Sequence, residues 1–462
     1  MYNISLEQLA GALSLTYSGP AGLVPDRVVF DSRKIQPGDL FVAIRGERTD
    51  GHQYLEQAFA SGAVGAVVEA AHAFDDGVHG CVVVGDGVDF IQKLGRWMRA
   101  QFQGPVIAIT GSQGKTSTKD LLTQVCSVSH EVVTTLENQN NELGMPLTLT
   151  RLTETTEILI VEMGMSGFGE IDFLCELAHP THGIITGIGT VHAEYLGSRE
   201  GIARAKTEMF RHLPENGAVA LRSQDRELLA PFMQELQARP LWCDGRGGQA
   251  DLAARDVVLD TEKSSFVCVS GRGKMPITLP FAGQHFVDNA LLVIAAAQAI
   301  DISNDDIQNG FAGAHSLSSN RMDMQPFDDG RLLINDCYNA NPDSMIATLR
   351  VLAAYKPRPT VACLGNMYEL GDYTNSGHAM VGKAAAELHI EWLVCLGNLA
   401  EGIGTSAIAN GMDKSHVLIA DTVSQAAALL GEYAPPEAVI LVKGSNSMRM
   451  TEINKHLKFF RA

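Results

Sequence analysis

The sequence predicts an α/β fold in three domains with mainly parallel sheets, and three observations support this prediction. Short apolar, β-branched runs alternate with Ala- and Leu-rich helical patterns along almost the whole chain. The chain has 462 residues, which is enough for about two to four domains. Several apolar runs end in polar loops that contain glycine. Such loops are typical of the carboxyl edge of a parallel sheet, where ligands bind in open α/β folds.

The clearest predicted strands are short apolar runs, and the clearest helices are two longer periodic stretches. The strands are Val64–Val68, Cys81–Val84, Val106–Thr110, Ile158–Val161, Gly183–Ile185, Thr360–Leu364, Trp392–Leu396 and Ala438–Val442. The helices lie around Phe90–Phe102 and over Gly283–Ile300. Because strands that alternate with helices usually pair in parallel, we expect open sheets covered by helices.

The domain boundaries are predicted at turns and at changes in composition. Gly104–Pro105 separates the first helix from the strand that opens the central block. The Ser- and Asn-rich stretch Ala314–Asn320 has no clear periodicity and resembles a linker. We therefore predict domains over residues 1–85, 86–315 and 316–462.

Charge and cysteine usage exclude several classes of protein. The net charge of −18 argues against a nucleic-acid partner, for which a basic footprint is expected. The eight Cys lack CxxC or zinc spacing and are typical of reduced thiols in a reducing compartment. Met1–Ser14 has no basic segment followed by an apolar run, and Ala290–Ile300 is too short to span a membrane. A cytoplasmic protein without a membrane span is expected.

The strongest motif is a phosphate-binding loop in the sequence VIAITGSQGKTSTKDLL. An apolar strand runs into a glycine-containing turn and then into a helix, so backbone N–H groups and the helix dipole favour a bound phosphate. Lys115 is expected to contact the β- and γ-phosphates, and the Thr116 hydroxyl to bind Mg²⁺. Ile109 stands where the strict GxxxxGK[ST] pattern has its first glycine. The alternative is an ordinary βα turn with an exposed lysine.

Three further residues are candidates for metal and phosphate chemistry. Glu162 ends the apolar run ILIVE, and a carboxylate at the end of a parallel strand suits a cation near the phosphates. His192 lies in GIGTVHAEYLG and Lys206 in IARAKTEMF. Each has a simpler alternative: a surface acid, a structural histidine or a solvated helix lysine.

Polar loops supply the remaining candidates. Asn138, Asn140 and Asn141 belong to TLENQNNELGMP, where an Asn cluster is equally compatible with a structural loop and with a binding loop. The segment INDCYNANPDSM follows the apolar run Leu332–Ile334 and could bind a nucleotide or simply turn the chain. LGNMYELGD, His378 and VKGSNSM could line the same crevice.

Together these segments resemble the Mur ligase family over nearly the whole chain. The resemblance is carried by an ordered set of motifs: FDSRKIQPGDLFVAIRGERTDGH, TGSQGKTSTK, NQNNELGMP, EMGMSGFGEI, GTVHAEYLGS, AKTEMF, GQHFVDNAL, DCYNANPDSM, LGNMYELG and VKGSNSM. The YNANP segment is similar to that of the members that add D-alanyl-D-alanine. No DNPR-type sequence, expected in the diaminopimelate-adding members, is present.

The resemblance implies an architecture and a reaction. It implies an N-terminal UDP-substrate-binding domain, a central ATP-binding domain and a C-terminal Rossmann-like domain. The implied reaction joins D-alanyl-D-alanine to UDP-N-acetylmuramoyl-tripeptide in peptidoglycan synthesis. It would be driven by ATP and would proceed through an acyl-phosphate intermediate. A monomer is expected. The third residue of the tripeptide, diaminopimelate or lysine, is left open, and so is the base that deprotonates the amine.

The resemblance also implies roles for individual residues. Lys115, Lys206, His192 and Arg321 would be catalytic. Thr116, Glu162, His192 and Lys206 would hold two Mg²⁺ ions, with Lys206 carbamylated in many relatives. The expected nucleotide contacts are Thr110, Gly111, Ser112, Gln113, Gly114, Lys115, Thr116, Ser117, Asn289, Arg321, Asp336, Tyr338 and Asn339. The expected substrate contacts are Ser32, Arg33, Arg45, Gly46, Asp50, His52, Asn138 and Asn141.

The chain departs from the family pattern at several positions. Gln113 stands where Asn is common, and Asn335 where an acid usually precedes Asp336. Asn320 stands where Gly is usual, Asn446 where Arg is common, and the loop at 365–369 reads GNMYE. None of these changes removes the loop lysine or a metal-ligand position.

Two other functions compete with this interpretation. One is another ligase of the same superfamily, adding a different amino acid or resembling folylpolyglutamate synthetase. The other is a non-catalytic nucleotide-binding module, which the retained Glu162, His192 and Lys206 argue against.

Overall fold

Three sheets follow one another along the chain in the computed structural model, which describes residues 1–46, 49–314 and 321–457. Each sheet has its own helices and its own apolar core. The predicted α/β class is therefore confirmed, and each predicted strand occurs with its ends within one residue of the prediction. In the described ranges, no helix is both long enough and apolar enough to cross a membrane.

The first sheet has five strands in the order β1-β5-β4-β3-β2, parallel except where β1 meets β5. Its elements are β1 Thr16–Ser18, β2 Val28–Val29, β3 Leu40–Val42, β4 Gly65–Glu69, β5 Gly80–Val84, α1 Leu6–Ala12, α2 Leu55–Ala60 and α3 Gly87–Gln101. Phe90, Leu94 and Met98 of α3 join the core of this sheet. The predicted boundary at residue 85 stays a prediction, and the helix that follows it packs on the first sheet.

The central sheet has nine strands in the order β14-β13-β12-β11-β10-β9-β6-β8-β7. The strands are β6 Val106–Thr110, β7 Val132–Thr134, β8 Ile158–Glu162, β9 His182–Ile185, β10 Ala218–Arg222, β11 Arg239–Asp244, β12 Leu252–Leu259, β13 Ser264–Ser270 and β14 Gly273–Leu279. The helices are α4 Lys115–Cys126, α5 Gly144–Leu149, α6 Glu170–Ala178, α7 Ala193–Leu196, α8 Arg199–Thr207, α9 Arg226–Leu229, α10 Gln284–Ala299 and α11 Asn304–Ala312. The run Gly283–Ile300 is thus a buried helix, as predicted.

An antiparallel extension of the central sheet was not predicted. The strands from β7 to β12 pair in parallel, whereas β12, β13 and β14 pair in antiparallel fashion. Along β14, buried Met275, Ile277 and Leu279 alternate with exposed residues. This alternation is the signature of a half-buried antiparallel strand, and polar residues between the apolar ones hide it among loops.

The third sheet has six strands in the order β15-β16-β20-β17-β18-β19, with only β15 antiparallel to its neighbour. Its elements are β15 Asp323–Pro326, β16 Leu332–Asn335, β17 Thr360–Gly365, β18 Trp392–Leu396, β19 Val417–Ala420, β20 Val439–Lys443, α12 Pro342–Ala353, α13 Thr374–Glu387, α14 Glu401–Ala409, α15 Val423–Tyr433 and α16 Thr451–Leu457. Residues 315–320 of the predicted linker, including Asn320, lie outside the described residues. The boundary at 315 stays a prediction.

Candidate active site

A cleft between the central and C-terminal sheets collects most of the predicted site residues. Its walls come from the loop after β6, the ends of β8 and β10, the start of α10, and the loops after β16, β17 and β20. The predicted residues on these walls are Ser112, Gln113, Gly114, Lys115, Thr116, Ser117, Asn138, Asn141, Glu162, His192, Asn289, Arg321, Asp336, Tyr338 and Asn339. Residues far apart in sequence thus meet at the carboxyl ends of strands, as ligand sites of α/β folds do.

The phosphate loop is shaped by two glycines with positive φ. Gly111 has φ +150 and packs against the Thr186 hydroxyl, so a Cβ at this position would clash. Gly114 has φ +79 and begins α4. The Lys115 ammonium folds back and donates to the Gly111 carbonyl at 2.9 Å. Burial lowers the pKa of Lys115, although nearby Glu162 acts in the opposite direction. The loop is therefore preformed around backbone donors and one cation.

Two predicted loop residues lie under the cleft surface. Thr110 ends β6 and is fully buried, and Gly111 is also buried. Neither residue forms part of the cleft wall in the described part of the chain. Their predicted nucleotide contacts stay predictions, and the structure gives both a role in supporting the loop.

Glu162 is the last residue of β8 and is held by two hydrogen bonds. The Thr116 hydroxyl donates to one carboxylate oxygen at 2.8 Å, and the Asn140 amide donates to the other at 2.9 Å. The carboxylate is almost completely buried, and no lysine or arginine forms an ion pair with it in the described ranges. An adjoining hydroxyl and carboxylate are oxygen ligands of the kind that Mg²⁺ uses beside phosphates. These residues therefore fit the first predicted cation.

Lys206 lies in α8 and is 1% exposed. Its ammonium group has no hydrogen bond or ion pair within the described part of the chain. Burial, reinforced by the charge of Lys115, lowers the pKa of Lys206 well below its ordinary value. The nearby carboxylate of Glu208 is used elsewhere, because it accepts from the backbone N–H groups of Gly169 at 2.8 Å and Asp172 at 3.2 Å. Lys206 is thus a buried, unpaired amine behind the cleft wall.

His192 contacts a carboxylate of the C-terminal domain. Its Nδ1 lies 2.7 Å from Oε2 of Glu369, in the loop after β17. The close polar contact with His192 lowers the pKa of Glu369 below its ordinary value. None of the hydrogen bonds among the described residues uses His192 Nε2, and the ring lines the cleft. Nε2 is the nitrogen available to a cation.

Asn289 lies beneath the phosphate loop instead of standing free in the cleft. It is 2% exposed, and its Oδ1 would be 2.9 Å from a Cβ placed on Gly114. The same oxygen accepts a hydrogen bond from Arg222 Nη2 at 2.9 Å. The amide nitrogen of Asn289 has no hydrogen bond among the described residues, and its adenine contact stays a prediction.

Arg321 and Asp336 face the cleft from the C-terminal domain. The Arg321 guanidinium stacks on Tyr338 at 3.9 Å from the ring centroid, a contact that orients a cation. Lys443 Nζ lies 2.6 Å from Asp336 Oδ2 and donates to the Asn339 carbonyl at 2.9 Å. Burial acts to raise the pKa of Asp336, but Lys443 outweighs it and the net pKa is lowered. Asp336 is therefore ionised and fixed in position.

The six predicted substrate residues of the N-terminal domain lie away from this cleft. Ser32 and Arg33 form a short turn in which Arg33 pairs with Asp31 at 2.9 Å. Arg45, Gly46 and Asp50 belong to one loop, where Arg45 lies 3.4 Å from Asp50. The structure does not bring these residues together with the phosphate loop.

His52 and Asn141 have structural partners that the sequence did not reveal. His52 Nδ1 lies 2.6 Å from Asp50, and its Nε2 accepts from the Glu69 N–H at 3.0 Å. Both ring nitrogens are occupied, so this histidine shapes its loop. Asn141 Oδ1 accepts from the Gly144 N–H at 2.9 Å and supports the start of α5. Their predicted substrate contacts stay predictions.

Asn140 was expected only as a member of the Asn cluster, and three residues of the site were not predicted individually: Arg222, Glu369 and Lys443. Asn140, Glu369 and Lys443 belong to motifs that the sequence singled out, NQNNELGMP, GNMYE and VKGSNSM. Arg222 could have been found as a charged residue at the end of a buried strand, the same signal that identified Glu162. Their partners come from distant parts of the sequence, which motif spacing cannot show.

Comparison with known proteins accords with this geometry. Three domain families match successive parts of the chain: "Mur ligase family, catalytic domain" over residues 26–116, "Mur ligase middle domain" over 109–297, and "Mur ligase, glutamate ligase domain" over 320–446. The UDP-N-acetylmuramoyl-tripeptide--D-alanyl-D-alanine ligase of Escherichia coli is 31% identical over 99% of both chains. The chain belongs to the Mur ligase family. The ligase of the same name from Mycobacterium bovis is 36% identical over 92% of this chain and 90% of that one.

Solved structures of Mur ligases share the whole architecture. The UDP-N-acetylmuramoylalanyl-D-glutamyl-2,6-diaminopimelate--D-alanyl-D-alanyl ligase from Acinetobacter baumannii superposes with a TM-score of 0.84 at 29% identity, covering 99% of each chain. A MurF ligase from Thermotoga maritima in complex with ADP superposes with a TM-score of 0.79 at 25% identity, covering 95% of this chain and 99% of that one. The three-domain Mur ligase fold predicted from the motifs is confirmed.

Proposed function

We propose that this enzyme joins D-alanyl-D-alanine to UDP-N-acetylmuramoyl-tripeptide in an ATP-dependent reaction that forms an amide bond. The observation that carries the proposal is the full-length similarity to ligases named for this reaction, 31% identical over 99% of both chains. The site supports it, because a preformed phosphate loop, a Thr116–Glu162 pair and an arginine face one cleft.

The reaction proceeds in two steps. The terminal carboxylate of the tripeptide attacks the γ-phosphorus of ATP, and ADP leaves as an acyl phosphate forms. The amine of D-alanyl-D-alanine then attacks the acyl carbon, loses a proton, and inorganic phosphate leaves. A carboxylate that approaches a polyanion needs positive charge at the site of attack. Lys115 and Arg321 supply that charge from opposite domains.

Mg²⁺ would bind at Thr116 and Glu162, with a second ion at His192 and a carbamate on Lys206. When bound, these ions neutralise charge on the transferring phosphoryl group. The amine of Lys206 suits carbamylation, because CO₂ combines with the neutral amine, which becomes a carbamate and releases one proton. The burial of Lys206, its lowered pKa and its lack of a partner in the described residues all favour the neutral amine.

The proposal extends to the other predicted residues. The nucleotide would use Ser112–Ser117, Asn289 and the Asp336–Asn339 loop, which share the cleft. The UDP part of the substrate would use Ser32, Arg33 and the loop from Arg45 to His52 in the first domain. Closure of the C-terminal domain would exclude water from the acyl phosphate. We place the enzyme in the cytoplasm, as a monomer.

A ligation assay tests the proposal. UDP-tripeptides that end in diaminopimelate or lysine are supplied with D-alanyl-D-alanine, ATP and Mg²⁺, and ADP and the pentapeptide product are measured together. We expect equal amounts of ADP and product, and little ADP when glutamate replaces the dipeptide. Product with glutamate or diaminopimelate as the amine, or tight ATP binding without turnover, would overturn the proposal in favour of one of the two rival functions. The likeness to a folylpolyglutamate synthase, at 16% identity, shows the fold alone.

A further inference from the structure

We propose that Glu369, carried by the C-terminal domain, is a positioning residue for His192, a cation ligand of the central domain. It would hold Nδ1 of the ring so that Nε2 faces the second Mg²⁺. The cation site would then be complete only when the two domains are closed on each other. This inference rests on the proposed function, in which His192 binds the second ion.

The two side chains meet across the domain boundary. His192 precedes α7, and Glu369 follows β17. Nδ1 of His192 lies 2.7 Å from Oε2 of Glu369, a close polar contact that does not meet the geometry of a hydrogen bond. The histidine side chain is 18% exposed and the glutamate side chain 44% exposed, so the pair lies at the rim of the cleft. Because the carboxylate and the histidine belong to different domains, their contact depends on how the two domains pack.

Both residues have a left-handed backbone. His192 has φ +66 and Glu369 has φ +63, a conformation that is strained for a residue with a side chain. Such strain persists where the surrounding structure imposes it, and it is concentrated at functional sites. Here it aims two side chains from separate domains at each other.

The two domains are closely packed beside the pair. Gly371 lies against the backbone of Glu194, where an added Cβ would be 2.8 Å from the Glu194 Cα. Tyr373, from the same turn, packs against the apolar core of the central domain. The contact between α7 and the turn Gly371–Tyr373 therefore has no room for a larger residue. The His192–Glu369 pair lies beside a close and specific interface.

The chemistry explains why a carboxylate is placed there. A histidine that binds a metal usually donates its other ring N–H to a carboxylate or carbonyl, which fixes the tautomer and the ring orientation. If the ring proton is on Nδ1, which faces Glu369, the lone pair of the neutral ring is on Nε2. No protein group uses Nε2 among the described residues. Glu162, the acid of the first predicted cation site, already accepts hydrogen bonds from Thr116 and Asn140. It is therefore not the carboxylate that contacts His192.

A second cluster consists of Asp50, His52 and His72, and its central residue, His52, has no ring nitrogen free to bind a cation. Nδ1 of His52 contacts Asp50, and Nε2 of His52 accepts a hydrogen bond from the Glu69 N–H. The contrast between the two histidines supports the assignment of Nε2 of His192 as a ligand atom.

The test measures Mn²⁺ binding to the full-length protein by electron paramagnetic resonance, without nucleotide or substrate. The variants are Glu369→Gln, which keeps the shape, His192→Gln, and Glu194→Gln as the matched control on an exposed neighbour. We expect Glu369→Gln to weaken one class of Mn²⁺ site about 10–100-fold. His192→Gln should weaken the same class, and Glu194→Gln should leave it unchanged. Small-angle scattering should show a more open Glu369→Gln protein at the same Mn²⁺ concentration.

The outcomes separate this inference from the proposed function. If His192→Gln weakens Mn²⁺ binding and Glu369→Gln does not, the positioning role is overturned and the cation role of His192 stands. If neither change affects Mn²⁺ binding, both the cation role of His192 and the positioning role are overturned. The ligation assay on the unmodified protein is independent of these results.

Discussion

The ammonium group of Lys443 lies 2.6 Å from Oδ2 of Asp336, and the two residues stand at the ends of paired strands, β20 and β16. Lys443 is almost fully buried and Asp336 is 15% exposed. Since removal of one member of a buried ion pair leaves an uncompensated charge, Lys443→Met should lower the free energy of unfolding by about 3–5 kcal/mol. Urea denaturation at neutral pH measures this loss.

The double variant Lys443→Met, Asp336→Asn is the control for this prediction. It should lose less stability than Lys443→Met alone, because no buried charge remains. The lowered pKa of Asp336 also sets a pH window. Its folded pKa lies below the ordinary value, so its stabilising contribution is present above about pH 3.8 and is lost as the pH falls through the folded pKa. An equal loss in the single and double variants would contradict the prediction.

Lys115 is expected to be essential for turnover but not for folding. Its ammonium group closes on the phosphate loop and faces the cleft. Loss of one such charge typically slows the chemical step by about 10²–10³-fold, so Lys115→Ala should release phosphate at most at that reduced rate. Lys93→Ala, an exposed lysine paired with Asp89, is the matched control. Near-normal phosphate release by Lys115→Ala would remove this loop from the reaction.

The burial of Lys206 should destabilise the fold in a pH-dependent way. Its folded pKa is well below 10.5, so the unfolded chain binds the extra proton between the two values. Stability therefore rises with pH across that window. In buffers free of CO₂, Lys206→Met should raise the free energy of unfolding at pH 7 by at least about 1 kcal/mol. This advantage should shrink toward pH 10, as denaturation at several pH values will show.

Lys206 should also be needed for activity in its carbamylated form, which carries a carboxylate group, and not as a free amine. We expect Lys206→Ala to be inactive and to be partly rescued by formate or acetate, which can occupy the vacated space with an anionic group. Initial rates with and without these anions measure the rescue. Full activity without any additive would exclude Lys206 from the site.

Arg99 is a buried cation with a structural role. It donates to the carbonyls of Ala178, Phe102 and His179 at 2.5, 2.8 and 2.9 Å, and so ties α3 to the end of α6. Arg99→Met leaves these carbonyls unsatisfied, at about 1–3 kcal/mol for each buried group. We expect a lower unfolding temperature with the KM for ATP unchanged. A changed KM with normal stability would contradict this role.

Much of the fold could be predicted from the sequence because its signals are local. A buried parallel strand such as Val106–Thr110 is a continuous apolar run, and Gly114 is required by a left-handed turn before α4. Strand β14 was missed because its buried side chains alternate with exposed ones, among turn-forming residues. Local patterns cannot show that this segment pairs with β13.

The candidate site was predictable only in part. Glu162 and Lys115 carry a signal in their own neighbourhoods, a strand end and a glycine turn. Arg222 and Glu369 gain their meaning from partners in other segments, Asn289 and His192. The free nitrogen of His192 and the occupied nitrogens of His52 are also indistinguishable in sequence. Only the tertiary contacts separate a histidine that can bind a cation from one that supports a loop.

All eight cysteines are buried, and this has a practical consequence. Burial raises the pKa of Cys126, Cys268, Cys337 and Cys395 to about 12, and thiolates are the form that reacts with alkylating reagents. The folded protein should therefore be nearly inert to maleimides. A single cysteine introduced on the surface of each domain would become a unique attachment point for a fluorophore or a spin label. The distance between two domains of this ligase can then be followed without first replacing any native cysteine.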